Sequence, residues 1–153
     1  MQRCHESCHD FTSSRLHDFT ASEAERNEPD HHASYLFDYV GQPWRTQFWV
    51  DNIMKTRYRT YPYGLPGNDD CGQMSAWLVL STLGFYPVVP ASGSYVAGAV
   101  LVRRATLQRA DGTRLEIFPG QRPGVWLDGK RVDRVALRHT DLLHARRLVV
   151  GEE

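Results

Sequence analysis

The stretch Tyr63–Val88, YGLPGNDDCGQMSAWLVLSTLGFYPV, decides how the rest of the chain is read. Gly64, Pro66 and Gly67 punctuate a loop that can be neither helix nor central strand. Asn68, Asp69 and Asp70 follow as a polar triplet suited to capping the next element. From Cys71 to Leu83 the spacing predicts a helix, with Met74, Trp77, Leu78 and Ser81 recurring on one face. Trp77 reads as core, and Cys71 as a small buried residue. Gly84 stands at the usual C-terminal stop, and Pro87 keeps the helix from resuming. Two carboxylates therefore sit at a helix N-terminus, where the macrodipole favours their ionised form. On spacing alone each is either an N-cap, the commoner role, or a general base.

Upstream, Asn27-Glu28-Pro29-Asp30-His31-His32 is a loop entering a helix, with Pro29 in the first turn. Tyr35, Leu36, Tyr39 and Val40 carry helical spacing until Gly41. Pro43 then opens a second helix to about Tyr58, whose apolar positions include Trp44, Phe48, Trp49, Ile53 and Met54. Residues 1–26 read as a polar, poorly ordered tail, with one helical turn at Arg15–Phe19. Cys4 and Cys8, beside His5 and His9, have zinc-ligand chemistry. Their spacing is not a standard knuckle and no second half-site follows.

Downstream the period changes. Tyr95–Ala110 mixes β-branched and apolar residues, and Asp111-Gly112 marks a hairpin whose return strand is Thr113–Phe118. Val125–Leu127 and Lys130–Val135 flank a second turn at Asp128-Gly129, and Leu148–Val150 reads as a closing strand. The fold class is α+β: helices first, antiparallel strands after, with the boundary near residues 87–94.

Composition narrows the function classes. Eighteen basic and eighteen acidic residues cancel, so the chain has no electrostatic footprint for nucleic acid or an anionic membrane. No apolar run approaches the ~18 residues of a membrane span. The opening MQRCHESCHDF lacks the apolar segment of an export signal. Three cysteines, an odd number, exclude a complete disulfide framework.

GLPGNDDCGQMSAW followed by LGFYPV resembles the signature of glycoside hydrolase family 92, the calcium-dependent exo-acting α-mannosidases. NEPDHHASYLFDYVGQPWRTQ, Asn27 to Gln47, resembles that family's other late motif, in the same order. The resemblance runs from about Arg15 onward and corresponds to the last part of a family member. It implies that residues 27–86 are the last helices of an (α/α)6 toroid and residues 87–153 an antiparallel β-rich C-terminal subdomain.

The same resemblance implies an inverting, calcium-dependent hydrolysis of terminal α-linked mannose from glycans. Such chemistry needs a protonated acid at the leaving group and a carboxylate activating water, roughly 6.5–9.5 Å apart. Asp70 is the implied general base, Asp69 the alternative, and Asn68 a group that orients the same water. Asn27 and Glu28 offer the oxygen ligands that Ca2+ prefers. An isolated Glu of this kind would more often pair with a surface Arg.

His31 and His32 point roughly 100° apart on a helix, so they cannot both face one metal; the resemblance implies that one of them contacts sugar hydroxyls and that the other is structural. Gln42, Trp44 and Gln73 are further substrate-binding candidates, Trp44 either as a sugar platform or as an interior helix-packing residue. Two positions depart from the pattern: Asp30 stands where relatives have Ser or Thr, and Tyr63 where they have Asp.

The family's general acid belongs to an aromatic-rich segment upstream of both motifs, and no such segment occurs in these 153 residues. The polypeptide alone is therefore expected to be inactive, with exposed Trp, Phe and Met patches where its helices lack partners. A non-catalytic carbohydrate-binding or interaction module, or one half of a split enzyme completed by a separately encoded N-terminal portion, are the alternatives. Family members are typically secreted or periplasmic.

Overall fold

The computed structural model describes residues 30–151. The expected tail over residues 1–26, its Cys4/Cys8 cluster, and the proposed ligands Asn27 and Glu28 all lie outside the described residues. A 3-10 turn at Ala33–Tyr35 runs into the short α1 (Leu36–Tyr39), followed by α2 (Pro43–Arg57) and α3 (Gln73–Thr82). Gly41, at φ 70, makes the break between α1 and α2 in a left-handed conformation that an L side chain resists. Gly84, at φ 91, closes α3; its amide donates to the Ser81 carbonyl, and an added Cβ would meet Val100 Cγ2 at 2.6 Å. That position needs glycine twice over, for conformation and for space.

The strands are β1 (Phe85–Tyr86), β2 (Ser94–Ala97), β3 (Ala105–Gln108), β4 (Arg114–Gly120), β5 (Gly124–Leu127), β6 (Lys130–Val132), β7 (Leu137–Arg138) and β8 (Arg147–Gly151). A final helix, α4 (His139–His144), precedes β8. One sheet has the order β1-β2-β7 and is antiparallel. The other has the order β3-β4-β8-β5-β6. The expected Asp111-Gly112 and Asp128-Gly129 hairpins are both present, joining β3 to β4 and β5 to β6.

One reading of the β region needs correction. It is not wholly antiparallel: β8 runs parallel to β4, Ile117 opposite Leu148 and Phe118 opposite Val149. The expected closing strand is present as β8, and it fills the centre of the sheet, between β4 and β5. The physical reason is burial. RLVVG is an apolar run that gains most from a neighbour on each side, and its long connection through β7 and α4 allows a parallel approach that no hairpin permits.

Two cores result. The β core gathers Leu115, Ile117, Val125, Leu127, Leu142, Leu148 and Val150, each at a buried position of its strand or helix. The helical core gathers Tyr35, Phe37, Val50, Ile53, Met74 and Trp77, and takes in Tyr86 and Val96 from the small sheet. Trp77 is its centre: stacked on Tyr58 at 5.7 Å, tilted against His31, and with its indole N–H donating to the His31 carbonyl at 2.9 Å. A polar clasp joins the two cores. Arg134 donates to the carbonyls of Ala97, Gly98 and Gly151 and lies 3.7 Å from the buried carboxylate of Asp38. Gln47 donates to the same Gly98 and Gly151 carbonyls from α2.

Candidate active site at the start of helix α3

The NDDCG run forms a compact turn rather than the first turn of an α-helix. Asp70–Gly72 is a 3-10 turn, with Cys71 at φ 54 and Gly72 at φ 77. The helix begins at Gln73, two residues later than the spacing predicts. Cys71 is exposed, not buried, because the left-handed backbone turns its side chain out of the helical register. A non-glycine residue in that region carries strain of order 1 kcal/mol, held here by the turn's own hydrogen bonds.

Those bonds also separate the two carboxylates. Gly72 occupies the N-cap position of α3 and has no side chain to cap with. Asp69 does the work from outside the helix: its carboxylate accepts the Ser75 amide at 2.9 Å and the Ser75 hydroxyl at very short range. The Ser75 hydroxyl bond and the backbone bonds hold the Asp69 carboxyl below the usual carboxylate range. Asp70 is exposed and makes no side-chain hydrogen bond among the described residues. It therefore presents an unused carboxylate at the positive end of α3. Asn68 is exposed beside it, and Gln73, half-buried, donates to the Tyr86 hydroxyl at 2.7 Å. Burial pushes the Tyr86 hydroxyl pKa up, against the opposing hydrogen bond from Gln73.

Of the histidine pair, His31 is the one packed in the core, 1% exposed against Trp77, while His32 is half-buried. The Trp77–His31 hydrogen bond brings His31 to the first turns of α3. Gln42 and Trp44 lie elsewhere. Tyr58, just past α2, donates to the Met74 carbonyl near the start of α3, while Thr82 at its end meets the Met54 sulfur. Both contacts come from the C-terminal end of α2. At about 1.5 Å per residue, Trp44 lies roughly 20 Å along α2 from Tyr58, at the far end from Asp70. Trp44 is not an interior packing residue either: it is 51% exposed, and Phe48, one turn on, is 59% exposed. Among the described residues the expected Met patch is absent, since Met54 and Met74 are buried.

Among the described residues no group of three or more His, Cys, Asp or Glu could hold a metal, and no helix is long and apolar enough to cross a membrane. Asn27 and Glu28, four and three residues before His31, are hard oxygen donors that suit Ca2+ in kind. They are two donors where calcium takes six to eight.

One engaged and one free carboxylate thus stand at a helix N-terminus in a helical layer backed by a mixed sheet. Residues 7–151 match the family model described as the glycosyl hydrolase family 92 catalytic domain. The chain belongs to glycosyl hydrolase family 92. It is similar to a family 92 α-mannosidase of Bacteroides thetaiotaomicron solved with mannoimidazole. The TM-score is 0.76 with 33% identity, over 84% of this chain and 18% of that one. It is also similar to a family 92 inverting mannosidase of the same organism, with TM-score 0.74 and 34% identity, over 85% of this chain and 19% of that one. An uncharacterized secreted glycosidase of Arthroderma benhamiae is 33% identical over 61 residues, 40% of this chain and 8% of that protein. The chain spans less than a fifth of the length of these relatives.

Proposed function

We propose that the chain supplies the water-activating half of an inverting α-mannosidase site, with Asp70 as general base and Asn68 orienting the attacking water. The observation that carries this reading is the division of labour at the α3 N-terminus. Asp69 is committed to Ser75, whereas Asp70 keeps its lone pairs for a ligand. The Asp69 carboxyl, held below the usual carboxylate range, is also a poor proton donor. Gln73 and His32 are the sugar-facing residues nearest the base in this reading, and Gln42 and Trp44 serve the far end of the helical layer. When bound, Ca2+ would polarise and hold sugar hydroxyls, with Asn27 and Glu28 as this chain's contribution to its shell.

Residues 27–86 then belong to an (α/α)6 ring and residues 87–153 to its β-rich companion. The exposed Trp44, Phe48, Val79 and Tyr63 support this: such apolar area on a helical layer suits packing against further helices. A mannose-containing glycan outside the cytoplasm is the corresponding substrate, in line with the mannosidase and secreted-glycosidase names of the relatives.

α-Mannosyl fluoride tests the assignment, because fluoride departs without a proton donor. Slow, Asp70-dependent release of β-mannose by the 153-residue chain is expected, with ordinary α-mannosides left intact. Asp70→Asn should lower the rate by about 10²-fold or more, and Asp69→Asn by less. Release of α-mannose, or no difference between Asp70→Asn and the parent, would remove Asp70 from the role.

A further inference from the structure

The outer face of the five-stranded sheet carries a feature that the base at α3 does not use. Phe118, Val149 and Trp126 stand opposite one another on β4, β8 and β5, and Arg131 of β6 continues the row. The inner-face neighbours Ile117, Leu148 and Val125 fill the β core, so this row belongs to the other side. It floors a groove of about 890 Å³ lined by Phe118, Trp126, Gln121, Arg122, Asp128 and Arg147.

The groove and its edge toward β6 carry unused donors. Trp126 is half-buried, and its indole N–H has no acceptor among the described residues. Gly124, at φ 116, leaves room beside it: a Cβ there would lie 3.2 Å from Arg131 Nε and 3.5 Å from Trp126 Nε1. Two N–H donors thus converge over a glycine with no acceptor between them. Arg122 and Arg147 of the lining, and Arg131 just outside it beside Gly124, form no ion pair among the described residues. The Arg147 guanidinium rests on the Phe118 ring at 4.7 Å, which orders it without neutralising it. The acids nearby are already engaged: Asp128 accepts the Arg146 and Arg147 amides, and Glu116 is paired with Arg104.

We propose that this groove binds an acidic oligosaccharide of the polyuronate type, with a pyranose ring on the Trp126 indole and ring carboxylates on the arginine forks. A half-exposed indole with a free N–H gives a sugar both an apolar face and a donor. Planar guanidinium groups match carboxylates two bonds at a time. The two arginines of the lining come from separate elements, the loop after β4 and β8. Charge spread in this way suits single carboxylates on successive rings better than one compact dianion.

Titration of the full chain with a short oligogalacturonate, by calorimetry and by the indole N–H resonances of its four tryptophans, tests the proposal. The Trp126 resonance, assigned with Trp126→Phe, is expected to shift, and the affinity to fall as salt is raised. Trp126→Ala should weaken binding by about tenfold or more, the scale of a lost aromatic anchor. Arg122→Gln, an exposed loop change that leaves the sheet intact, should weaken it by several-fold. Absence of any shift at millimolar ligand overturns the proposal. So does equal binding of neutral manno-oligosaccharides, an equal response to inorganic phosphate, or full affinity in both variants.

Discussion

Arg134 is where a single substitution should cost this protein most for its position outside the apolar core. Its guanidinium donates to three backbone carbonyls, from Ala97, Gly98 and Gly151, and stands 3.7 Å from Asp38, whose side chain is 0% exposed. Arg134→Ala would leave that carboxylate buried without this cation. Removing one partner of a buried pair costs about 3–5 kcal/mol. Gln47 still donates to the Gly98 and Gly151 carbonyls, so their loss adds little, and the buried carboxylate sets the magnitude. By contrast, the Lys55–Asp51 pair, with its lysine side chain 72% exposed, should be worth under about 1 kcal/mol. Urea unfolding of Arg134→Ala, Asp38→Asn and the double variant provides the measurement. The double variant should be less destabilised than the sum of the singles, because it removes both charges together. Arg134→Lys, which keeps the charge without the fork, should fall between Ala and the parent. A cost under about 1 kcal/mol for Arg134→Ala, or simple additivity, would show that the clasp does not hold the two cores together.

Glycine substitutions should separate space from conformation. Gly151→Ala would drive a Cβ to within 1.7 Å of the Arg122 carbonyl oxygen, so thermal melting should show severe loss or no folded protein. Gly41→Ala meets nothing within 4 Å and suffers only its φ of 70, so about 1 kcal/mol is expected. Acid should loosen the start of α3 through Asp69. Its carboxyl pKa is lowered in the fold, so its contribution is full above the unfolded value and is lost as pH falls through the folded one. Circular dichroism from pH 6 downward, parent against Asp69→Asn, should show that the variant lacks this part of the acid transition. The exposed Cys71 thiol should react promptly with a disulfide reagent, and Cys71→Ser should remove one rapidly reacting equivalent.

Much was legible in the chain itself. Gly41, Pro43, Gly84 and the Asp-Gly pairs marked the ends of helices and the hairpins, because turn chemistry is local and needs no tertiary partner. Helical spacing placed Met74, Trp77 and Ser81 on a buried face, and two long motifs carried the family. Asp69 and Asp70, however, are adjacent and chemically identical in sequence. Only the turn that bends back to Ser75 makes one a cap and leaves the other free. Likewise the parallel union of β4 with β8, the exposure of Cys71, and the separation of Trp44 from Asp70 depend on contacts between distant residues. Local propensity and capping fixed the elements; the choice of partners, and with it which side chains meet a ligand, was decided by which burial of apolar surface and polar groups the whole chain could satisfy at once.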